Sequence, residues 1–269
     1  MSVQYRCAGI QHPQVRQIRS ILKNRCTHLE RFVAVGLQAH SVIITKRKQI
    51  DTLLYCLDRY FGKEQDNPVG ELSRLASEVF LVSENTMRRI VPAGDSAAFV
   101  SVCPINNVRE YEIKPAKHSI VIILDSIRMV GNVGCLIRSA NAAAADFVAF
   151  TNRLVRLSNP RLVTSSCGAI LDTPILESSA EKLGVLLNDM KYQILLADAN
   201  DGVPYDEIHY PNRAAIVLGS EHSGIGKEWY KYSHIGITVP MCGVADSLNV
   251  AAAGSIIMFA ASRQLGLVK

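Results

Sequence analysis

The sequence predicts an α/β protein, and two observations carry that prediction. In the second half, apolar runs rich in β-branched residues, such as SIVIILD at 119–125, alternate with helical patterns such as the glycine-opened segment at 131–145. The first hundred residues alternate in the same way over shorter segments. Strands alternating with helices are typical of a mostly parallel sheet. We therefore expect two α/β units in one chain.

Length and composition are those of a globular protein. The chain has 269 residues, of which 48% are hydrophobic and 20% charged. At roughly 100–200 residues per domain this suits one large domain or two modest ones. The polar start and the shortness of the apolar runs predict neither a signal peptide nor a membrane span.

The first domain is predicted over residues 1–105, with residues 106–118 as a polar linker. Helices are expected at 14–30, 49–60, ELSRLA and SENTMRRIV, and strands at FVAVG, VFLVS and AAFVSVCP. An edge strand is the alternative for the linker, since its YEI segment could pair.

The second domain is predicted over residues 119–269. Strands are expected at SIVIILD, FVAFT, YQILLAD, AAIVLGS and HIGITVP, and helices at 131–145, 178–190 and 247–266. Ser178 or Ser179 is the expected N-cap of the middle helix, and Ser247 or Asp246 that of the last, which should end before Gly266.

The positive charge is concentrated in the first part of the chain. Of a net charge of +5, residues 1–112 hold 15 Lys and Arg against 11 Asp and Glu. Clustered cations can follow a phosphate backbone, although an ordinary solvated surface explains them equally well. The candidate RNA-binding residues are Arg16, Arg19, Lys23, Arg25, Lys46, Arg47 and Lys48.

The seven cysteines are scattered, odd in number and without a CxxC pair. This pattern argues against a disulfide framework or a zinc site and favours a reducing cytoplasm. No metal is therefore expected.

Three segments place polar residues where a strand gives way to a helix, the edge at which open α/β sheets bind ligands. They are residues 125–138, 218–226 and 239–250. Taken singly, each has a simpler reading: Arg138 as a surface ion-pair residue, Glu221 in a plain turn, and Ser247 and Asn249 as helix caps. A hydrolase built on His222 and Ser223 is disfavoured because the GxSxG elbow is absent.

Taken together and in order, the three segments resemble the signature motifs of the SpoU (TrmH) class of SPOUT methyltransferases. The matches are VGNVGCLIRSA at 130–140, GSEHSG at 219–224 and VPMCGVADSLNV at 239–250. The whole chain is also similar to the thiostrepton-resistance type of ribosomal RNA methyltransferase. Departures are Val130 for the usual proline, Ala251 for a serine, and the replacement of the basic residue often found before the Ser–x–Gly segment, which here reads TSSCG at 164–168.

The resemblance implies a fold and a cofactor. It implies a parallel sheet with a deep trefoil knot, a small N-terminal L30e-like RNA-recognition domain, and a homodimer whose active site draws on both subunits. It also implies S-adenosylmethionine as cofactor. The residues implied to hold it are Leu196, Leu218, Gly219, Ser220, Val239, Met241 and Leu248.

The implied reaction is methyl transfer to a ribose 2′-hydroxyl of RNA, with ribosomal RNA as the first candidate. The family assigns proton removal to the arginine matched by Arg138. Because arginine stays protonated in proteins, we expect Arg138 to position the ribose or a phosphate instead. The other implied catalytic residues are Asn132, Glu221, Asn249 and Ser247.

Three alternatives remain at this point: a tRNA ribose methyltransferase, a non-catalytic RNA-binding relative, and a classical nucleotide-binding domain. The last is the least favoured, because the sequence contains no dinucleotide-binding fingerprint. The sequence names neither the nucleotide nor a housekeeping or antibiotic-resistance role.

Overall fold

The computed structural model describes residues 6–23, 31–60, 68–92, 95–198 and 202–268. The chain divides into two compact units. Unit 1 comprises Met1–Ile105 and Arg156–Asp172, and unit 2 comprises Asn106–Val155 and Thr173–Lys269. The break after residue 105 coincides with the expected one, but residues 156–172, expected in the second domain, pack with unit 1. Whether each unit folds as an independent domain stays a prediction.

Unit 1 is built on a five-stranded mixed sheet with the order β1-β4-β3-β5-β2. Strands β1, β4 and β3 are parallel, and β5 is antiparallel to both β3 and β2. The strands are β1 Arg6–Cys7, β2 Arg31–Val35, β3 Ile50–Tyr55, β4 Ala76–Leu81 and β5 Phe99–Pro104. The helices, numbered along the chain, are α1 Pro13–Leu22, α2 Gly36–Thr45, α3 Val69–Leu75, α4 Glu84–Arg88 and α6 Pro160–Ser165.

The prediction of a helix at 49–60 is wrong, because that segment forms the central strand β3 and a 3₁₀ turn at Leu57–Arg59. Leu53 and Leu54 are both fully buried, so the strand shows no alternation. A short apolar run of this kind cannot be told from a buried helix by periodicity. Helix α2 was not predicted, and α1 covers only the first part of the helix expected at 14–30. Residues 24–30, Arg25 among them, lie outside the described residues.

The segment 156–172 joins unit 1 through apolar and ionic contacts. Helix α6 packs against β2, with Leu162 and Val163 buried. Beyond it, Asp172 forms ion pairs with Lys46 at 2.8 Å and Lys48 at 3.1 Å. The apolar pattern of six helical residues could not reveal which sheet they would cover.

Unit 2 is built on a seven-stranded sheet with the order β10-β12-β9-β11-β6-β7-β8, and every pairing is parallel. This confirms the predicted α/β class with a parallel sheet. The strands are β6 Ser119–Asp125, β7 Phe147–Thr151, β8 Ile175–Glu177, β9 Gln193–Ala197, β10 Val203–Pro204, β11 Arg213–Leu218 and β12 His234–Thr238. The helices are α5 Val130–Ala142, α7 Ala180–Asp189 and α8 Val250–Gln264.

Helices cover both faces of this sheet. On one face, Val121 and Val217 pack with Leu183 of α7 and the buried Trp229. Side chains alternate between faces along a strand, and the next residue of β11, Leu218, meets α8. A Cβ on Gly254 of α8 would lie 2.8 Å from Leu218 Cδ1. Gly254 therefore lets α8 approach β11 closely, and α8 also packs against α5.

The helix caps match the sequence except at α8. Ser179 caps α7 by accepting a hydrogen bond from the Lys182 amide at 3.2 Å, and Gly266, with φ of +69°, follows the end of α8. The cap of α8 is Asn249, whose Oδ1 accepts from the Ala251 amide at 2.9 Å. The expectation of Ser247 or Asp246 is wrong, because the helix begins after Asn249.

The expected linker pairs with β8 at Asn107 rather than through its YEI segment, since Glu110–Glu112 form a 3₁₀ turn. None of the helices that the structure describes is long and apolar enough to cross a membrane.

The buried His40 of α2 predicts that the stability of unit 1 depends on pH. Its Nε2 lies 2.8 Å from Ser101 Oγ and its Nδ1 2.6 Å from the Gly36 carbonyl. Burial lowers the pKa of His40 to about 4, against an upward contribution from the Gly36 carbonyl. Protonation therefore favours the unfolded chain. The stabilisation by the neutral imidazole is complete above pH ~6.5 and is lost as the pH falls toward ~4.

The measurement compares urea midpoints of the wild type and His40→Gln from about pH 7.5 to about pH 4.5. We expect the wild type to have a higher urea midpoint than His40→Gln at about pH 7.5. The difference between the two midpoints should become smaller as the pH falls to about 4.5. A gap that does not change with pH would contradict this assignment.

Candidate active site

A cavity of about 320 Å³ opens at the carboxyl ends of three neighbouring strands of unit 2. Its floor is formed by Ala197 of β9, Leu218 of β11 and Ile237 of β12, which are paired across the sheet. Parallel strands present their carboxyl ends at one edge, which explains why separate apolar runs converge here. The other lining residues are Asp198, Gly219, Ser220, Glu221, Gly224, Ile225, Val239, Met241, Asp246, Ser247, Leu248, Val250, Ala253 and Ile257.

The loop after β11 closes on itself and brings its backbone to the cavity. Ser220 and Gly224 exchange backbone hydrogen bonds of 3.0 and 2.9 Å. Gly224 has φ of +65°, which side chains disfavour. A Cβ on Gly219 would lie within 2.5 Å of the Gly224 and Ile225 backbone. The two glycines are therefore required by the turn itself, and they leave backbone amides and carbonyls beside the cavity.

The carboxylate of Asp125, at the end of β6, anchors the far end of this loop. Asp125 is buried, and its Oδ2 accepts a hydrogen bond from the Gly226 amide at 2.8 Å. Its Oδ1 accepts from the Thr151 hydroxyl at 3.0 Å. A Cβ on Gly226 would lie 2.8 Å from the carboxylate. A buried carboxylate is tolerated because hydrogen bonds satisfy it, and here they fix the loop to the sheet.

A chain of side-chain hydrogen bonds links the three segments singled out in the sequence. The amide of Asn132, in the first turn of α5, donates to Glu221 Oε1. Asn249, at the start of α8, donates from Nδ2 to Asn132 Oδ1 at 3.2 Å. Because Asn249 also caps α8 through its Oδ1, its amide is held in one orientation. The structure thus brings together three polar residues that are spread over 117 positions of the chain.

Arg138 lies on α5 beside this chain and is exposed. It follows Asn132 by less than two helical turns and precedes Ser139, whose hydroxyl lies 2.7 Å from that of Ser255 on α8. Arg138 does not line the cavity. Its guanidinium is therefore placed outside the cavity, on the side of α5 that solvent reaches.

Most of the expected cofactor residues surround the cavity, and one does not. Leu218, Gly219, Ser220, Val239, Met241 and Leu248 line it, as do the expected catalytic residues Glu221 and Ser247. Leu196 is buried in the cluster with Leu183 and Trp229, because its side chain points to the opposite face of the sheet. Its neighbours Ala197 and Asp198 line the cavity instead. The roles of all these residues stay predictions.

Sequence reasoning missed Asp198 and the function of Asp125. Asp125 ends one apolar strand and Asp198 directly follows another, which is the signal that marked the other segments. The sequence places Asp125 at the end of its strand, but its partners Thr151 and Gly226 could not be inferred without the fold.

The expected RNA-binding residues fall into two groups. Arg16, Arg19 and Lys23 share one side of α1 around a shallow depression. Lys46 and Lys48 instead pair with Asp172. Burial alone would raise the pKa of Asp172, but the two lysines outweigh that effect and lower it.

Arg47, between these lysines, is exposed with φ of +49°. In the part of the chain that the structure describes, no group of three or more His, Cys, Asp or Glu residues could hold a metal ion.

The chain is similar to known proteins in sequence and in fold. The model of the family described as SpoU rRNA Methylase matches residues 119–259. The 23S rRNA (guanosine(2553)-2'-O)-methyltransferase RlmP of Bacillus subtilis is 24% identical over 182 residues, which cover 68% of this chain and 71% of that protein.

Two further similarities extend over most of the chain. A putative TrmH family tRNA/rRNA methyltransferase of Staphylococcus epidermidis is 26% identical over 88% of this chain and 97% of its own. The crystal structure of an AdoMet-bound rRNA methyltransferase from Sinorhizobium meliloti superimposes with a TM-score of 0.84. It is 22% identical and covers 97% of this chain and 98% of its own.

Asp125→Ala should destabilise unit 2, because it leaves the Gly226 amide and the Thr151 hydroxyl without their shared acceptor. We expect a loss of about 3 kcal/mol in the free energy of unfolding. Trp229, the single tryptophan of the chain, is fully buried in unit 2 and reports its unfolding by fluorescence. Asp189→Ala, at an exposed position of α7, is the matched control and should change stability by less than ~0.5 kcal/mol. Equal effects of the two substitutions would contradict the anchoring role.

Proposed function

Because this chain belongs to the SpoU rRNA methylase family, we propose that it transfers a methyl group from S-adenosylmethionine to a ribose 2′-hydroxyl of RNA. The observation that carries the proposal is the cavity at the ends of β9, β11 and β12, with the hydrogen-bonded chain Glu221–Asn132–Asn249. Ribosomal RNA is the favoured substrate, because the relative from Bacillus subtilis is named as a 23S rRNA methyltransferase.

The cavity fits S-adenosylmethionine in size and in surface. Its volume of about 320 Å³ lies at the lower end of the ~300–1,000 Å³ usual for small-molecule sites. The apolar floor suits an adenine ring, and the backbone exposed by Gly219 and Gly224 suits polar groups. We assign the binding contacts mainly to the backbone of Leu218, Gly219, Ser220, Val239, Met241 and Leu248.

The charge of the cavity favours a cationic ligand. Asp198, Glu221 and Asp246 line it, and no Lys or Arg is among the lining residues that the structure describes. Such a one-signed lining attracts ligands of the opposite charge. When bound, S-adenosylmethionine supplies a methyl group made electrophilic by its sulfonium charge.

The residues of this chain then have to hold the ribose and assist loss of its proton. A ribose hydroxyl is a weak nucleophile, so its orientation matters. Arg138 is exposed and permanently charged, which suits bidentate contact to a phosphate and stabilisation of a developing oxyanion. Asn132, Glu221 and Asn249, held by one another, orient the nucleotide. Ser247, which lines the cavity, completes the proposed catalytic set.

Two topological features support a trefoil knot in unit 2. Strand β12 follows β11 along the chain but lies between β10 and β9 in the sheet. Helix α8, which follows β12, packs against α5 and β11. We propose that the chain passes through a loop to reach this position.

We further propose that unit 1 is an L30e-like RNA-recognition domain, with Arg16, Arg19 and Lys23 facing the RNA. Its mixed α/β sheet and this cationic face support the proposal. Lys46 and Lys48 would first have to exchange Asp172 for a phosphate. Arg47, with its exposed side chain, meets no such competition in the described ion pairs.

The protein is proposed to be a cytoplasmic homodimer. Among the described residues, Cys7, Cys56, Cys103, Cys135 and Cys242 are free thiols, as in a reducing compartment. On unit 2, Met129, Val244 and Phe259 are large, apolar and exposed. Exposed apolar side chains are typical of surfaces that associate.

A tRNA ribose methyltransferase is the second candidate, favoured by the tRNA/rRNA description of the relative from Staphylococcus epidermidis. Methylation of bulk tRNA in preference to ribosomal RNA would support it. A non-catalytic RNA-binding relative is disfavoured because Asn132, Arg138, Glu221 and Asn249 are all present. Absence of S-adenosylmethionine binding by calorimetry would reverse that judgement.

Arg138→Ala should abolish methyl transfer and leave cofactor binding nearly unchanged, because Arg138 lies outside the cavity. Transfer is measured with radiolabelled S-adenosylmethionine and deproteinised RNA, and binding by calorimetry. Arg138→Lys keeps the charge but not the bidentate geometry and should retain only a small part of the activity. Lys182→Ala, on an exposed face of α7, is the charge-matched control. Full transfer by Arg138→Ala would overturn the assignment.

Gly219→Ala should weaken cofactor binding at least ~10-fold, since the new methyl group must displace the Gly224 backbone by tenths of an ångström or more. Gly70→Ala is the control, because nothing lies within 4 Å of its Cβ position in α3. Calorimetric affinities that are equal for the two variants would show that the cavity is not the cofactor site.

A further inference from the structure

We propose that a second cavity, in unit 1, binds one unstacked nucleotide of the RNA substrate together with its flanking phosphates. The cavity has a volume of about 590 Å³, and three of its lining residues are the cations Lys23, Arg89 and Arg161. We call it the basic cleft. The inference rests on the proposed function in so far as it takes RNA to be the substrate.

The basic cleft has apolar walls contributed by separate elements. Val33 and Val35 of β2 line it, with Ile90 and Val91 after α4 and Val163 of α6. An apolar wall of this kind suits the flat face of a base that has left its stack, which proteins cover with apolar side chains or arginine planes. Arg89 and Arg161 also line the cleft and carry guanidinium planes of this kind.

The cations of the cleft are not neutralised by ion pairs with the residues that the structure describes. Lys23, Arg89 and Arg161 are exposed and form no ion pair with any described residue. Among the described lining residues the one acid is Asp95, which already accepts a hydrogen bond from the Ala97 amide at 2.7 Å. Lysines 46 and 48 behave differently, since both pair with an acid. Unpaired cations around an apolar surface fit a ligand with both rings and phosphates.

Polar side chains are available to contact the edges of a base. Gln38 of α2 and Thr164 of α6 are exposed and line the cleft. An amide offers donors and an acceptor, and a hydroxyl offers both, which are the groups that read the exposed edge of an unpaired base. The cleft therefore combines base and phosphate contacts.

The cleft continues into the cationic face of α1. Lys23 also lines the shallow depression formed with Arg16, Arg19 and Ser20. Arg19 Nε donates to the Arg89 carbonyl at 3.2 Å, which holds α1 beside the residues that follow α4. A backbone entering along α1 would thus meet consecutive cations before its nucleotide reaches the cleft. Arg161 comes from the segment 156–172, which lies within the family-model match but belongs to unit 1.

The test uses the full-length protein and ribosomal RNA of the expression host, deproteinised and labelled with 4-thiouridine. Arg89→Ala and Arg161→Ala should each weaken RNA binding about 10-fold and lower the salt dependence of binding by roughly one ion. Arg88→Ala is the matched control, because Arg88 precedes Arg89 but pairs with Glu84 at 3.2 Å and does not line the cleft. Thr164→Trp should block the cleft and weaken binding with the salt dependence unchanged.

Melting curves and S-adenosylmethionine affinities that match the wild type show that the variants are folded. Photo-crosslinks within residues 15–23, 84–92 or 159–168 would support the proposal. The proposal is overturned if the variants bind RNA as the wild type does, or if crosslinks fall only elsewhere. It is also overturned if polyglutamate displaces RNA from the cleft at equal concentration, because the cleft would then be a site for an acidic protein segment. Failure of the proposed function is a separate result: the wild type would transfer no methyl group to RNA, whatever the variants bind.

Discussion

The hydrogen bond from the Gly226 amide to the buried carboxylate of Asp125 is the contact on which the candidate site depends. Asp125 ends β6, in the interior of the sheet, so its position is fixed by strand pairing on both sides. The loop it anchors carries Gly219, Gly224 and Glu221, and this loop forms one wall of the cavity. Glu221 of this loop meets Asn132 of α5, which in turn is hydrogen-bonded to Asn249 at the start of α8. A buried carboxylate is costly unless it is satisfied, so it selects a single arrangement of the loop.

The site combines an acidic, backbone-lined cavity with an exposed arginine, and this division of charge suits the proposed reaction. Carboxylates line the cavity and favour a cationic cofactor, whereas Arg138 lies outside on α5, where an anionic RNA would arrive. The polar chain Glu221–Asn132–Asn249 connects the cavity, which Glu221 lines, with α5, which carries Arg138. In unit 1 the charge is also divided: Lys46 and Lys48 stabilise the packing of residues 156–172, while the cations of the basic cleft form no ion pair with any residue that the structure describes.

Much of unit 2 could be predicted from the sequence, and the reason is physical. Strands such as β6 are buried on both faces and therefore leave continuous apolar runs, and the residues that follow them gather at one edge. Less of unit 1 could be predicted. Strand β3 is central, so its residues do not alternate between apolar and polar. The sequence of α6 does not indicate which sheet the helix covers. Leu196 was expected at the cavity, but the alternation of side chains along β9 directs it to the opposite face of the sheet. The cap of α8 was assigned to the wrong residue because Asp246, Ser247 and Asn249 are all residue types that cap helices. Contacts between residues that are distant in sequence, such as those of Asp125 with Thr151 and Gly226, can be identified only once the fold is known.

The central claim is that this chain methylates ribose 2′-hydroxyls of RNA. The most direct measurement maps 2′-O-methyl groups on cellular RNA with and without the protein, because a 2′-O-methyl group protects the adjacent phosphodiester from alkaline cleavage. The account predicts a protected position that is present only when the protein is present, lies in ribosomal RNA and is lost with Arg138→Ala. Identical maps with and without the protein, or new methyl groups on bases alone, would contradict it.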